Sequence, residues 1–265
     1  MKVLTFSDVH ANWVALYAVL AAEPDAEKIL CLGDLVAYGP QPVECVEWAM
    51  KNGVAGWLLQ GNHDRGIARN EDPRCSPPYR HLAAATHSFS RRMLSEGMFA
   101  FLGNLEPSLS VQIDGARCLA CHAAPSDPLY RYLRTNDVEL LRRELEIAGH
   151  PDVLFFGHTH WPMNRRFDKT LVVNPGSVGQ PKDGVTSAAY AVWQDGEVEL
   201  RRAAYGVEKT IAGAAQRFQE TAEDMYSYAT KRSAARRDLT NTDEEYAALR
   251  AINHLVGSRS LLFPG

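Results

Sequence analysis

The chain has 265 residues, with 28 basic and 32 acidic side chains and a formal net charge of −4. Hydrophobic residues make up 46%, too many for a disordered chain, and no apolar run approaches the ~18–20 residues of a membrane span. A nucleic-acid binder normally shows a basic footprint, so we expect neither a nucleic acid polymer nor a membrane among the partners. Because Ser7 and Asp8 interrupt the first apolar run, we recognise no secretory signal and expect a cytoplasmic protein.

The N-terminal part predicts strands that alternate with helices. The predicted strands are Lys2–Phe6, Lys28–Leu32 and Val54–Gln60, and the predicted helices are Asn12–Ala22 and Pro42–Lys51. Asn12 is a suitable N-cap, and Pro42 suits the first turn of a helix. This alternation is typical of an α/β core with a parallel sheet.

The pattern changes after the third strand. An insertion over residues 65–107 is mostly helical in pattern, and a hairpin is predicted around Asp114-Gly115. Asn136 and Glu139 form an N-cap signature for a helix that Gly149 ends. Further strands are predicted at Ser108–Ile113, Ala116–His122, Val153–Phe156, Met163–Phe167, Leu171–Asn174, Ser187–Gln194 and Glu197–Ala204. We therefore expect the second half to form a second, more antiparallel sheet.

The last part of the chain has helical spacing. An apolar stripe from Val207 to Ala229 predicts a helix that packs on the main domain or on another subunit, which would make a homo-oligomer. Thr242 and Glu245 form a capping box for a last helix. We divide the chain into a main domain, 1–205, that contains the insertion, and a C-terminal helical extension, 206–265. No candidate chemical residue lies beyond Ser177, so we expect the extension to be dispensable for chemistry.

Five polar segments each follow a predicted strand directly. They are Asp8-Val9-His10, Gly33-Asp34, Gly61-Asn62-His63-Asp64, His122 and Gly157-His158-Thr159-His160. Any one of them is compatible with an ordinary turn. Ligands of α/β sheets bind outside the carboxyl ends of strands, so five such segments together predict one shared site.

The side chains in these segments predict metal ligation. Mixed Asp, Asn and His ligands suit Mn²⁺, Fe²⁺, Co²⁺, Ni²⁺ or Zn²⁺, and the lack of cysteine argues against a structural zinc site. The candidate ligands are Asp8, His10, Asp34, Asn62, His122, His158 and His160. They exceed the needs of one metal and suffice for two that share a carboxylate, the arrangement used in phosphoryl transfer.

The five motifs, in this order, resemble those of the calcineurin-like metallophosphoesterase superfamily over roughly residues 1–205. His10-Ala11-Asn12 and the sequence Asn174-Pro175-Gly176-Ser177-Val178-Gly179-Gln180-Pro181 are similar to its small bacterial and archaeal phosphodiesterase branch. The resemblance implies a four-layer α/β/β/α sandwich, carrying here a C-terminal helical extension. This fold agrees with the two sheets expected from the pattern.

The resemblance also implies roles for the motif residues. The implied ligand sets are Asp8, His10 and His160 for a first metal, Asn62, His122 and His158 for a second, and Asp34 between them. A metal-bridging hydroxide would attack phosphorus, and His63 would contact the phosphate and act as the general acid. Asp64 is expected either to orient the His63 ring or to cap a helix. We expect Mn²⁺, with Fe²⁺, Ni²⁺, Co²⁺ or Zn²⁺ as alternatives.

Two positions depart from the family pattern. Ala123 stands where glycine is frequent, and Tyr38 stands where protein phosphatases and symmetrical dinucleoside tetraphosphatases carry an arginine that clamps phosphate. Tyr38 cannot act as that cation, and it either stacks on a base or aryl group or packs within the loop. Arg65 opens the insertion, whose arginines either form a lid that reads a phosphate or lie on a solvated helical face.

We therefore predict a two-metal phosphoesterase, specifically a phosphodiesterase acting on a small nucleotide-like or aryl phosphodiester. Within the same fold, the alternatives are a dinucleoside polyphosphate hydrolase, a phosphomonoesterase and a protein phosphatase. A non-catalytic binding or scaffold protein is a further alternative, but a scaffold has no need for seven ligands and His63.

Overall fold

The computed structural model describes residues 1–53, 56–134 and 136–218. Its strands are β1 Val3–Phe6, β2 Lys28–Cys31, β3 Trp57–Leu58, β4 Ser108–Ile113, β5 Ala116–Cys121, β6 Val153–Phe155, β7 Met163–Phe167, β8 Thr170–Asn174, β9 Ala188–Gln194 and β10 Glu197–Ala203. Its helices are α1 Trp13–Ala22, α2 Pro42–Asn52, α3 Asn62–Arg69, α4 Arg80–Met93, α5 Glu96–Gly103 and α6 Val138–Ile147, with a 3₁₀ turn at Pro77–Tyr79. Within these ranges, every helix is too short or too polar to cross a bilayer.

The first sheet has the strand order β10-β9-β1-β2-β3. β1, β2 and β3 run parallel, as the alternation of strands and helices predicts, whereas β9 is antiparallel to both β1 and β10. All four residues of β1 are buried, because layers cover both faces of this strand. β1 is thus a central strand, and the segment that follows it is held from both sides.

The second sheet has the order β4-β5-β6-β8-β7. β5, β6 and β8 are parallel, and the outer pairs β4–β5 and β7–β8 are antiparallel. The expectation that the second half forms its own, more antiparallel sheet is therefore wrong. β9 and β10 return to the first sheet, and each sheet has two parallel and two antiparallel pairings. The first six residues of β9 are buried, a pattern that suits either sheet, so periodicity alone did not reveal its neighbour.

Three apolar clusters separate four layers. Val3 and Leu30 of the first sheet pack with Phe155 of the second between the two sheets. Helices α1 and α2 cover the outer face of the first sheet. Helix α6 covers the outer face of the second sheet through Leu141 and Leu145. The order of layers is helix, sheet, sheet, helix, which confirms the predicted fold class.

Three local predictions need correction. β3 is only Trp57–Leu58, although residues 54 and 55 of the predicted strand lie outside the described part. Helix α6 is capped by Asp137 rather than Asn136, because the Asp137 carboxylate accepts the backbone N–H of Leu140 at 3.1 Å. Helix α3 begins at Asn62, so the third polar segment forms a first helical turn rather than a loop.

Residues 207–218 are helical and pack on the main domain. Ala214 and Phe218 are buried, and the Phe218 ring lies 4.9 Å from the ring of Phe89 on α4. Arg217 pairs with Glu44 of α2 at 2.7 Å. The predicted continuation of the stripe to Ala229 and the capping box at Thr242 and Glu245 lie outside the described residues.

We expect Phe218→Ala to lower the free energy of unfolding by about 3 kcal/mol, because it removes a buried ring that packs on α4. The matched control is Ile147→Ala, whose side chain is 61% exposed and whose effect should stay within about 0.5 kcal/mol. Urea denaturation of the full chain measures both. Equal effects of the two substitutions would show that residues 207–218 do not contribute to folding stability.

Candidate metal centre

The five polar segments meet at one edge of the two sheets. Each follows the carboxyl end of a strand that runs parallel to a neighbour, namely β1, β2, β3, β5 or β6. All seven candidate ligands are buried, with at most 4% of the surface of any of these residues exposed: Asp8, His10, Asp34, Asn62, His122, His158 and His160. So many buried polar side chains at one edge require either mutual pairing or a bound ligand.

Asp8, His10 and His160 form the first cluster. One ligand atom from each lies within 4.8 Å of the others. His160 Nε2 is 3.4 Å from Asp8 Oδ1 and 3.2 Å from His10 Nε2. Two imidazole nitrogens and a carboxylate oxygen thus face one small volume, as a divalent metal site requires.

Asp34, His122 and His158 form the second cluster. His122 Nε2 lies 3.4 Å from Asp34 Oδ2 and 3.0 Å from Asn62 Oδ1. The Asn62 amide nitrogen donates to the Pro73 carbonyl at 2.7 Å, which turns the amide oxygen toward His122. Asn62 is therefore placed as a further oxygen donor beside this cluster.

Asp34 lies between the two clusters. Its Oδ2 atom is 3.4 Å from His122 Nε2 in the second cluster and 3.8 Å from His10 Nε2 in the first. Its other oxygen accepts the backbone N–H of His63 at 2.9 Å, which fixes the carboxylate plane. One carboxylate oxygen can therefore serve two ions.

Backbone carbonyls orient three of the imidazoles. The Nδ1 atoms of His10, His122 and His160 lie 3.1, 2.8 and 2.7 Å from the carbonyl oxygens of Val36, Leu32 and Gln180. A carbonyl oxygen only accepts hydrogen bonds, so each Nδ1 carries the proton when the ring is neutral. The Nε2 lone pair of each ring then faces its cluster, which is the tautomer that binds a metal.

Buried atoms without partners support the fit of a metal. Asp8 Oδ1 and His158 Nε2 are buried and have no hydrogen-bond partner within the described part of the chain. Burial raises the pKa of Asp8 to about 7 and lowers the pKa values of His10 and His158 to about 4 and about 3. Burial thus keeps these imidazoles neutral, which is the form that coordinates a cation, and the donor set fits two divalent metals.

The pKa values of His122 and Asp34 are shifted in the directions opposite to those that burial alone would give. Burial lowers the pKa of His122, but the Asp34 and Asp8 carboxylates outweigh burial and raise it to about 9. Burial would raise the pKa of Asp34, yet His122 and His63 hold it well below its usual value. A cation bound between these residues takes the place of the His122 proton, so metal binding should release protons.

The loops hold strained backbone conformations at the ligands. Asp8, His10, Asp34, His158 and His160 all have φ values between +47° and +64°. This left-handed region is uncommon for residues other than glycine, and a group of five such residues at one site is a sign of a functional constraint. Hydrogen bonds between loops keep the strain in place, such as the one from Asp8 N to the Gly33 carbonyl at 3.0 Å.

His63 and Asp64 have separate roles. The His63 ring centre lies 5.3 Å from that of His10, beside the first cluster. The Asp64 carboxylate accepts the backbone N–H groups of Asp34, Leu35 and Gly61 at 2.8, 2.8 and 3.0 Å. Of the two alternatives for Asp64, these bonds match the helix cap and not the orientation of the His63 ring.

The two predicted substrate contacts have different outcomes. The Tyr38 ring is only 8% exposed and lies 4.8 Å from the rings of both His10 and His63, in the wall of the metal site. Arg65 pairs with Glu71 at 3.3 Å and does not line the space beside the clusters. The first turn of α3 directs this side chain to the acidic loop that follows the helix, and the substrate contact of Arg65 stays a prediction.

The sequence analysis missed the cavity residues beside the clusters. A cavity of about 810 Å³ adjoins them, and Lys182, Tyr132 and Tyr79 line both the cavity and the metal site. Lys182 directly follows the segment Asn174–Pro181, and this adjacency was the available signal. His87, whose Nε2 lies 3.3 Å from His63 Nδ1, had no signal because it lies within the insertion, far from every motif.

Comparison with known proteins identifies the same family that the five motifs resemble. The family model described as calcineurin-like phosphoesterase superfamily domain matches residues 1–195. The chain is 30% identical over 227 residues to the uncharacterized protein MJ0912 of Methanocaldococcus jannaschii, covering 78% of this chain and 89% of the relative.

Two solved structures are each similar to about four fifths of the chain. A metallophosphoesterase from Sphaerobacter thermophilus has a TM-score of 0.68 and 29% identity, covering 82% of this chain and 94% of that one. The hypothetical protein PH1004 from Pyrococcus horikoshii OT3 has a TM-score of 0.70 and 20% identity, covering 79% and 90% of the two chains. The second likeness concerns the fold alone.

We expect Asp34→Asn to lower the metal content and the catalytic rate together, because it removes the one carboxylate oxygen that reaches both clusters. The matched control is Asp168→Asn, in an exposed turn whose φ of 51° asparagine tolerates. Metal analysis after Mn²⁺ incubation and gel filtration measures the content. Retention of two ions per chain by Asp34→Asn would contradict the bridging position.

Proposed function

Because the chain belongs to the calcineurin-like phosphoesterase superfamily, a family of dinuclear-metal hydrolases, we propose that it is a two-metal phosphodiesterase. Its substrates are small nucleotide-like or aryl phosphodiesters. The observation that carries the proposal is the position of Asp34 Oδ2 within 3.8 Å of a ring nitrogen in each cluster. A shared carboxylate can hold two ions close together, an arrangement that many phosphoester hydrolases use.

The geometry of the two clusters supports the proposed ligands. Asp8, His10 and His160 would hold one ion, His122, His158 and Asn62 would hold the other, and Asp34 lies between the clusters, where it could serve both. Nitrogen and oxygen donors without sulfur suit Mn²⁺, with Fe²⁺, Ni²⁺, Co²⁺ or Zn²⁺ as alternatives. When bound, two such ions polarise the phosphoryl oxygens and lower the pKa of water at the site.

His63 transfers the proton to the leaving oxygen. Its backbone N–H is fixed on Asp34 Oδ1, and its ring lines the same space as His158 and His160. Burial holds the pKa of His63 well below its usual value, so the ring is neutral in the free protein. An anionic phosphodiester beside the ring favours the protonated form, because an opposite charge raises the pKa of an imidazole.

The shape of the site supports a diester. Beyond the metal clusters lies the 810 Å³ cavity, which has room for the second substituent of a phosphodiester. Tyr38, in contact with the His63 ring, presents an aromatic surface where a clamp for a phosphomonoester dianion would need a cation. A dinucleoside polyphosphate hydrolase is the second candidate, favoured by the cationic side chains in the same cavity.

A direct experiment separates these enzymes from a scaffold. Purified protein loaded with Mn²⁺ should hold about two ions per chain, as the two clusters require, and should hydrolyse bis-p-nitrophenyl phosphate. A parallel screen of phosphomonoesters and dinucleoside polyphosphates ranks the substrate classes. Less than one bound ion, together with no hydrolysis of any phosphoester, would support a non-catalytic binding protein instead.

We expect His63→Gln to keep about two metal ions per chain while the rate falls roughly 10²–10⁴-fold, the usual contribution of a positioned acid. The loss should be smallest for p-nitrophenolate, a good leaving group that needs little protonation, and largest for an alkoxide. Metal analysis and rates with both kinds of ester test this. Loss of the ions, or an equal loss of rate for both leaving groups, would make His63 a ligand or phosphate anchor instead of the acid.

A further inference from the structure

The cavity beside the metal clusters shares a wall with the site of reaction. Five residues line both the cavity and the space next to the clusters: Cys75, Ser76, Tyr79, Tyr132 and Lys182. The ring of Tyr132 lies 4.0 Å from the ring of His158, a member of the second cluster. The cavity is therefore the space next to a substrate bound at the metal clusters.

The charge of the cavity wall is positive. Among the described residues that line it, Arg74, Arg134 and Lys182 are cationic and none is acidic. The whole chain has a net charge of −4, so this wall has the opposite sign to the molecule. A concave surface with charges of one sign concentrates ligands of the other sign.

Lys182 has no anionic partner within the described part of the chain. It is partly buried, and no carboxylate there lies within ion-pair distance of its ammonium group, which stands 4.7 Å from the centre of the Tyr79 ring. A partly desolvated ammonium group without a counter-ion favours a bound anion. Lys182 lines both the cavity and the metal site, so an anion bound to it would lie next to a phosphate bound at the metal clusters.

The cavity also has flat aromatic walls. Tyr79, Tyr132 and Trp161 line it, and Trp161 is 53% exposed although it is large and apolar. Exposed aromatic faces next to cations are typical of sites that stack a nucleobase and hold its phosphates.

We propose that the substrate is a nucleotide whose leaving group carries a second phosphate in addition to the scissile one, and that the cavity binds this leaving group. Lys182 and Arg74 hold the second phosphate, and the aromatic walls hold the base. The cleavage of this substrate at the metals rests on the proposed function. The binding of its leaving group in the cavity does not, since binding is measurable without turnover.

Calorimetric titration of the metal-loaded full chain with adenosine, AMP and ADP tests the proposal. Affinity should rise at least tenfold from adenosine to ADP. Lys182→Met and Arg74→Gln should each weaken ADP binding about tenfold, as expected for loss of a charge-assisted hydrogen bond, with a smaller effect on adenosine. The matched controls are Lys169→Met and Arg92→Gln, whose side chains are exposed and do not line the cavity.

Three results would overturn the proposal: ADP binding no tighter than adenosine, cavity variants that behave like their controls, or inorganic phosphate competing as well as ADP. Tight ADP binding that depends on Lys182, in a protein that hydrolyses no phosphoester, would support the subsite and contradict the proposed function. The two proposals therefore fail separately.

Discussion

The carboxylate of Asp34 is the contact on which the rest of the site depends. One of its oxygens reaches a ring nitrogen in each cluster, and the other holds the first turn of α3 through the backbone N–H of His63. The loops after β2 and β3 must approach closely for this. A Cβ on Gly61 would stand 2.0 Å from Asp34 Oδ1, so only glycine fits there. The candidate acid and the two clusters are thus positioned by one side chain.

Burial of so many ionisable groups is tolerated because each carboxylate has a different compensation. Asp64 accepts three backbone N–H groups, and Asp34 lies against His122. Asp8 accepts the backbone N–H of His158 through Oδ2, while its Oδ1 has no hydrogen-bond partner in the described chain. Asp64 is thus satisfied by the protein itself, whereas Asp8 is left for a cation, and this difference distinguishes a structural carboxylate from a ligand.

The insertion and the helix of residues 207–218 pack against each other and both contact residues near the site. The insertion contributes His87 and the cavity wall around Tyr79, and its helix α4 packs on Phe218. The same helical segment contacts the residue that caps α1, because Thr210 donates to the side chain of Asn12, two residues after the first polar segment. The extension is therefore built against the elements that carry the site, although it supplies no candidate ligand.

The sequence by itself identified the candidate ligands and the strand ends that carry them. Asp8, Asp34, Asn62, His122 and His158 each follow a strand that has a parallel neighbour, and within one sheet such strands bring their carboxyl ends to one edge. The edges of the two sheets meet because the sheets pack face to face, which the sequence does not show. The Asn12 cap was also predicted correctly, since a cap involves atoms only a few residues apart, whereas the cap predicted at Asn136 lies one residue later, at Asp137.

Only the tertiary structure decided which sheet takes β9, which atoms pair with Asp64 and what surrounds His63. The buried face of β9 suits either sheet, and its place beside β1 depends on packing across the whole domain. His87 lies 24 residues after His63 in the sequence, yet the two rings are in contact. Lys182 lies 148 residues after Asp34, yet both residues line the space beside the metal clusters. The contact of His87 leaves no periodic or local mark in the sequence, because a side chain that meets its partner only in the folded chain has no fixed spacing from it. Lys182 is marked only by its place directly after the segment Asn174–Pro181.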